Sequence, residues 1–152
     1  MCDEKKIETL LLRAIEAGLD GLDFLYSFST KELAEGYNGI GPEFLPAGLR
    51  AQVTAFLWIF EPAAFVHDMR NEVADGTLAA FLYANDEFRR NCLKLAEKNY
   101  PRLFRDFFKR YRAKAVAQIL YDFVSADSFG WKAWLEATER RVKKLNQRKE
   151  EP

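Results

Sequence analysis

The residues in this chain best suited to chemistry are its single histidine, His67, and the aspartate that follows it, Asp68. Pro62, just before them, is tolerated in a first helical turn, so it marks a helix start that puts His67 about two turns in. Side chains on a helix advance by about 100° per residue, so His67 and Asp68 point to adjoining faces and can serve different partners. A second polar step, Asn85-Asp86, interrupts an apolar helical stripe, with Asn85 in its middle and Asp86 at its margin. A polar side chain aimed at a core costs roughly 1–3 kcal/mol unless it finds a hydrogen-bonding partner. His67 is the obvious candidate for Asn85. Upstream, Gly36-Tyr37-Asn38-Gly39-Ile40-Gly41-Pro42-Glu43 breaks every periodicity and reads as a tight loop. Glycines let backbone carbonyls approach a ligand closely, and hard cations such as calcium accept carbonyl and carboxylate oxygens.

Other chemistries are excluded by what is missing from the sequence. One histidine cannot build a multi-histidine zinc site or an HD-type metal phosphohydrolase, and there is no Gly-x-Ser-x-Gly elbow for a serine nucleophile. No phosphate-binding glycine motif precedes a helix. Two cysteines, Cys2 and Cys92, make neither a disulfide framework nor a metal knuckle, and Cys92 reads as a small core residue. What remains is a histidine acting as general base on a water, beside a carboxylate that, with loop carbonyls, holds calcium to polarise a carbonyl group. Imidazole changes charge close to neutral pH, which suits proton abstraction there.

A chain of 152 residues with 49% hydrophobic residues fits one domain with a real core. Met-Cys-Asp-Glu-Lys-Lys is followed by an amphipathic segment carrying charges, so neither a signal peptide nor a spanning helix is expected, and the expected location is cytoplasmic. The zero net charge hides an asymmetry: residues 1–76 carry 13 acidic and 6 basic side chains, and residues 77–152 carry 10 acidic and 17 basic. The second half faces anions, or the two halves attract each other on folding.

The elements that must position these groups are helical. Ile7, Leu10, Leu11, Ala14 and Ile15 predict a surface helix over 4–19, and Ser29-Thr30 caps a brief helix over 31–35. The apolar run 53–60 is consistent with either a buried strand or a buried helix. The His67 helix runs to about Val73, and Asp75-Gly76-Thr77 ends it and caps the next, 77–98, with Leu78, Phe81, Leu82, Phe88, Cys92, Leu95 and Ala96 on one stripe. Pro101 opens a helix to about Ser125 whose expected apolar face is Phe104, Phe107, Phe108, Tyr111, Ala115, Ile119, Leu120 and Phe123. Arg102, Arg105, Lys109 and Arg112 form a cationic ridge along it, which is either a solvated face or a contact for phosphate groups or an anionic membrane surface. A last helix, Gly130 to about Leu145, is followed by a tail over 146–152 that is expected to fray.

Tyr37-x-Gly39-x-Gly41, a helix carrying His67-Asp68, and an antiparallel helix presenting Asn85-Asp86 together resemble the phospholipase A2 superfamily. The stretch Asn38-Gly39-Ile40-Gly41-Pro42-Glu43 is similar to its bacterial and phage-associated branch. The resemblance covers residues 37–96. It implies an all-α, single-domain protein over residues 1–145, with two central antiparallel helices as a phospholipase A2-like core and added N- and C-terminal helices. It implies calcium as cofactor, held by Asp68, Tyr37, Gly39 and Gly41, and a phospholipid substrate whose ester is cleaved by water that His67 activates. An aspartate on the second long helix orients the histidine in that family; here spacing to Phe88 favours Asn85 and chemistry favours Asp86. The chain also departs from the family by lacking disulfides and by carrying Asn71 where a tyrosine is expected. These departures motivate an alternative, a non-catalytic helical interaction protein of phage or prophage type that keeps the scaffold and binds a protein partner. A nucleic-acid partner is not expected.

Overall fold

Ile7, Leu10 and Ala14 recur at helical spacing and all three are buried, so the first helix, α1 (Glu4–Glu16), packs by one face as its sequence implies. The computed structural model describes residues 3–37, 39–40 and 47–150, and among these the regular structure is all helical, with no strand. After α1 come α2 (Thr30–Gly36), α3 (Ala47–Phe56), α4 (Glu61–Val73), α5 (Leu78–Asn99), α6 (Phe107–Ser125) and α7 (Lys132–Glu150). Short 3-10 turns cover Asp23–Ser27 and Trp58–Phe60, and a π turn over Asp127–Trp131 makes the corner before α7. The segment 53–60, open between strand and helix on its sequence, is the end of α3 and the 3-10 turn.

Helix boundaries follow local capping chemistry. Ser29 and Glu32 exchange hydrogen bonds with each other's backbone in a full capping box at α2. Thr77 Oγ1 accepts from Ala80 N–H at the start of α5, and Asp75 in turn accepts from Thr77. Only residues 74–77 separate α4 from α5, so the two must run antiparallel. The first two turns of α4 are buried on nearly every side, with Pro62, Ala63, Ala64, Phe65, Val66 and His67 all inside. Even Glu61 is buried there, its carboxylate met by Lys6 Nζ and, at 3.2 Å, by the hydroxyl of the fully buried Tyr37. A negative side chain also suits the positive N-terminal end of the helix.

The pairing of α4 with α5 rests on a buried ion pair. Arg70 donates twice to Glu87, Nε to Oε1 at 3.1 Å and Nη2 to Oε2 at 2.8 Å, and Glu87 is only 1% exposed. The guanidinium also lies 4.0 Å from the centroid of Phe24. The turn at Gly21 passes directly over this pair with φ +77°, and a Cβ there would collide with both side chains, so glycine is required twice over. The fully buried Asn91 holds the same turn through both backbone groups of Asp20, at 2.7 and 3.1 Å. The Lys94 ammonium, hydrogen-bonded to Asp20 at 2.6 Å, holds that carboxyl below its usual range. The clamp is therefore complete above the ordinary carboxylate pKa of about 3.9 and is lost as pH falls through the lowered value.

Four sequence expectations are corrected. On α5 the inward stripe is Phe81, Ala84, Asn85, Phe88, Cys92, Leu95 and Ala96, while Leu78 and Leu82 face outward. The helix expected from Pro101 begins at Phe107, after turns over 101–106. Its inward face is Ala113 and Ala117, flanked by Val116, Leu120 and Val124, so Phe104, Phe107, Phe108, Tyr111, Ala115, Ile119 and Phe123 are exposed instead. Small alanines give α5 a smooth surface to pack on, and periodicity alone cannot choose between two apolar stripes on one helix. At the other end, α7 continues to Glu150, past the expected end at Leu145, and residues 151–152 lie outside the described ones.

Replacing Arg70 by Ala strands the Glu87 carboxylate in the interior, and urea unfolding is expected to show a loss of about 3 kcal/mol. A loss below about 1 kcal/mol would mean the pair does not hold α4 to α5.

Candidate functional site

His67 sits two turns into α4 and Asn85 two turns into α5, so the antiparallel pairing brings them face to face. His67 Nε2 lies 2.9 Å from Asn85 Oδ1. Asn85 Nδ2 donates to the backbone carbonyl of Val124 on α6 at 3.4 Å. A carbonyl oxygen only accepts, so the amide nitrogen must face Val124 and the amide oxygen must face the imidazole. Nε2 therefore carries the hydrogen, and in the neutral ring Nδ1 holds the lone pair. Nδ1 is 3.7 Å from Asp68 Oδ1. The imidazole also rests on Phe88, with ring centroids 5.0 Å apart and planes tilted by 46°.

This decides between the two residues of the Asn-Asp step. Asn85 is buried and meets the histidine, whereas Asp86 is turned outward and accepts from Tyr121 Oη at 3.4 Å. Asp86 is thus not part of the His67 site, because the 100° step to the next residue carries it off the buried stripe.

His67 and Asp68 open onto a cavity of about 610 Å³. Val53, Leu57, Phe81, Phe88, Leu120 and Phe123 give it a largely apolar wall. Gly39 lines the same cavity, and its φ of +101° is available only cheaply to glycine. Of the expected calcium ligands, Asp68 and Gly39 both line this cavity, Tyr37 lies two residues before Gly39, and Gly41 is outside the described residues. Tyr37 directs its side chain inward to Glu61, so only its backbone is of use to a cation. Among the described residues no three His, Cys, Asp or Glu side chains are grouped to hold a metal. Asp68 shares the cavity lining with the carboxylates Glu72 and Glu136, and carboxylate oxygens are the donor type that a hard cation prefers.

The four cationic candidates lie elsewhere. Arg102 and Arg105 stand on the turns before α6, and Lys109 and Arg112 on its first turns, all four exposed, so they do not form a ridge along a single helix. Cys92 is fully enclosed and burial pushes its thiol pKa far up, which excludes a thiolate nucleophile.

Several residues of the site escape sequence reasoning. The Val124 carbonyl orients Asn85, yet a backbone acceptor leaves no mark in the residue type. Gly130 permits the corner after α6, since a Cβ there would collide with that same carbonyl. Trp134 and Asn71 both line the cavity, and Trp134 Nε1 and Asn71 Oδ1 are buried without a hydrogen-bond partner among the described residues. Comparison of the chain with protein-family models, with curated proteins and with solved structures found no match.

The hydrogen-bond chain from Val124 to His67 is open to direct measurement. Long-range proton–nitrogen NMR correlations are expected to show neutral His67 as the Nε2–H tautomer, and Asn85→Ala to abolish that preference at a cost of about 1–3 kcal/mol in stability. An Nδ1–H tautomer in the unaltered protein would contradict the arrangement.

Proposed function

We propose that this protein hydrolyses a carboxylic ester of a phospholipid in the manner of the phospholipase A2 superfamily, with His67 as general base. The observation that carries the reading is the relay from the Val124 carbonyl through the Asn85 amide to His67 Nε2, at 3.4 and 2.9 Å, which leaves the Nδ1 lone pair beside Asp68 at the cavity. In that position Nδ1 takes a proton from water, and the water oxygen attacks the ester carbonyl carbon. The imidazolium then returns its proton to the departing alcohol. The apolar wall formed by Val53, Leu57, Phe88 and Leu120 suits an acyl chain. Asp68, with the carbonyl oxygens of Tyr37, Gly39 and Gly41 that the family resemblance implies, would hold calcium, which would supply positive charge to a substrate carbonyl oxygen.

Asn85 sets the expected rate. A neutral amide holds the correct tautomer but stabilises imidazolium less than a carboxylate does, so the unaltered protein is expected to be a slow hydrolase. The same residue favours the alternative of a non-catalytic helical interaction protein, in which the His67–Asn85 contact is purely structural.

Hydrolysis of a dispersed phospholipid in the presence of calcium separates the two. His67→Ala is expected to lower the rate by about 10²-fold or more while the fold is retained, and Asn85→Asp to raise it by about tenfold. Asp68→Asn is expected to abolish calcium binding measured by calorimetry. Undetectable hydrolysis by both the unaltered protein and Asn85→Asp would favour the non-catalytic reading.

A further inference from the structure

The aromatic residues that sequence periodicity assigns to the core of α6 are instead displayed on the surface. Leu103 is 68% exposed, Phe104 98%, Phe107 57%, Phe108 79% and Tyr111 68%. Exposed apolar side chains are common singly, but five within nine residues form a contiguous patch that calls for a partner. The patch is not loosely held. Arg110 donates to the carbonyls of Tyr100 and Pro101 at 3.0 and 3.2 Å, tying the turns before α6 to its first residues. Asp106 accepts from Arg102 N–H at 3.3 Å, and the Phe107 and Phe108 rings meet edge to face at 5.5 Å.

The charge around these rings indicates the partner. Arg102, Arg105, Lys109 and Arg112 are all exposed and alternate with the apolar side chains. The only acidic residue in this stretch, Asp106, is buried. Among the described residues Arg105 alone of the four makes an ion pair, at 3.4 Å to Asp106. Apolar side chains that enter a bilayer surface, ringed by cations that remain at its phosphates, are the signature of an interfacial anchor. A second copy meeting the same patch would set four cations against four. Stacking on nucleic acid would use the rings but leave Leu103 and Ile119 without a role.

The stripe also has a direction. Phe108, Tyr111, Ala115, Ile119 and Phe123 follow one another at spacings of three or four, and all are exposed. Phe123 lines the His67 cavity. An apolar track of roughly 22 Å, at 1.5 Å per residue, thus runs from the patch to a residue that lines the cavity. We infer that residues 102–112 dock this protein on an anionic lipid bilayer, with Leu103, Phe104, Phe107, Phe108 and Tyr111 entering the surface. The docking does not depend on ester hydrolysis and is tested without it.

The test is co-sedimentation of the full chain, in the His67→Ala background to prevent lipid turnover, with vesicles of phosphatidylcholine and phosphatidylglycerol in equal parts or of phosphatidylcholine alone. Binding to the mixed vesicles is expected at low salt and at least about tenfold weaker binding to phosphatidylcholine alone. Lys109→Ala and Arg112→Ala are each expected to weaken it about fivefold. Phe104→Ser with Phe108→Ser is expected to abolish it with an unchanged circular dichroism melting curve, because both side chains are exposed. No binding to the mixed vesicles, or equal binding by these variants, would overturn the inference. So would a lipid-free dimer that the double Phe variant dissociates, or an oligonucleotide that displaces the protein from the vesicles.

Discussion

The bidentate contact between Arg70 and Glu87 is the constraint on which the remaining architecture depends. It fixes how α4 lies against α5, because a buried carboxylate tolerates almost no displacement from the cation that pairs with it before the cost of desolvation is felt. Gly21 closes over the pair and Asn91 holds that turn, so the segment after α1 is tied to the same point. With the two helices locked in register, His67 and Asn85 face one another. The ion pair and the polar relay thus lie on the same helix pair, one joining the two helices and the other orienting the His67 ring at the cavity.

A third helix completes what two cannot. The alanines at 113 and 117 let α6 approach α5 closely, and its last turn brings the Val124 carbonyl to the Asn85 amide. Without that acceptor the amide has no reason to prefer one orientation, and the imidazole tautomer is undefined. The corner at Gly130 then returns the chain so that Trp134 on α7 closes the cavity. Burying α6 by its small residues has a second result, since its large aromatic residues are left on the outer surface beside exposed cations.

Much of this organisation is written in the order of residues. The helical class follows from 3.6-residue periodicity, the starts of α2, α4 and α5 from Ser29, Pro62 and Thr77, and the narrowing of the histidine's partner to the Asn85-Asp86 step from a polar pair in an apolar stripe. These are local signals, fixed by backbone geometry and by the cost of an unpaired polar group, and they need no knowledge of distant contacts.

What tertiary structure alone decided is which of two equivalent faces turns inward and which backbone atoms meet the site. On α6 both the alanine stripe and the aromatic stripe repeat with helical period, and only the shape of α5 selects the former. On the Asn-Asp step, chemistry pointed to Asp86 and burial chose Asn85, because rotation about the helix axis is set by packing. The Val124 carbonyl, the closure over Gly21 and the cavity itself depend on residues dozens of positions apart, and such distances are settled by the close packing of helices rather than by any local preference.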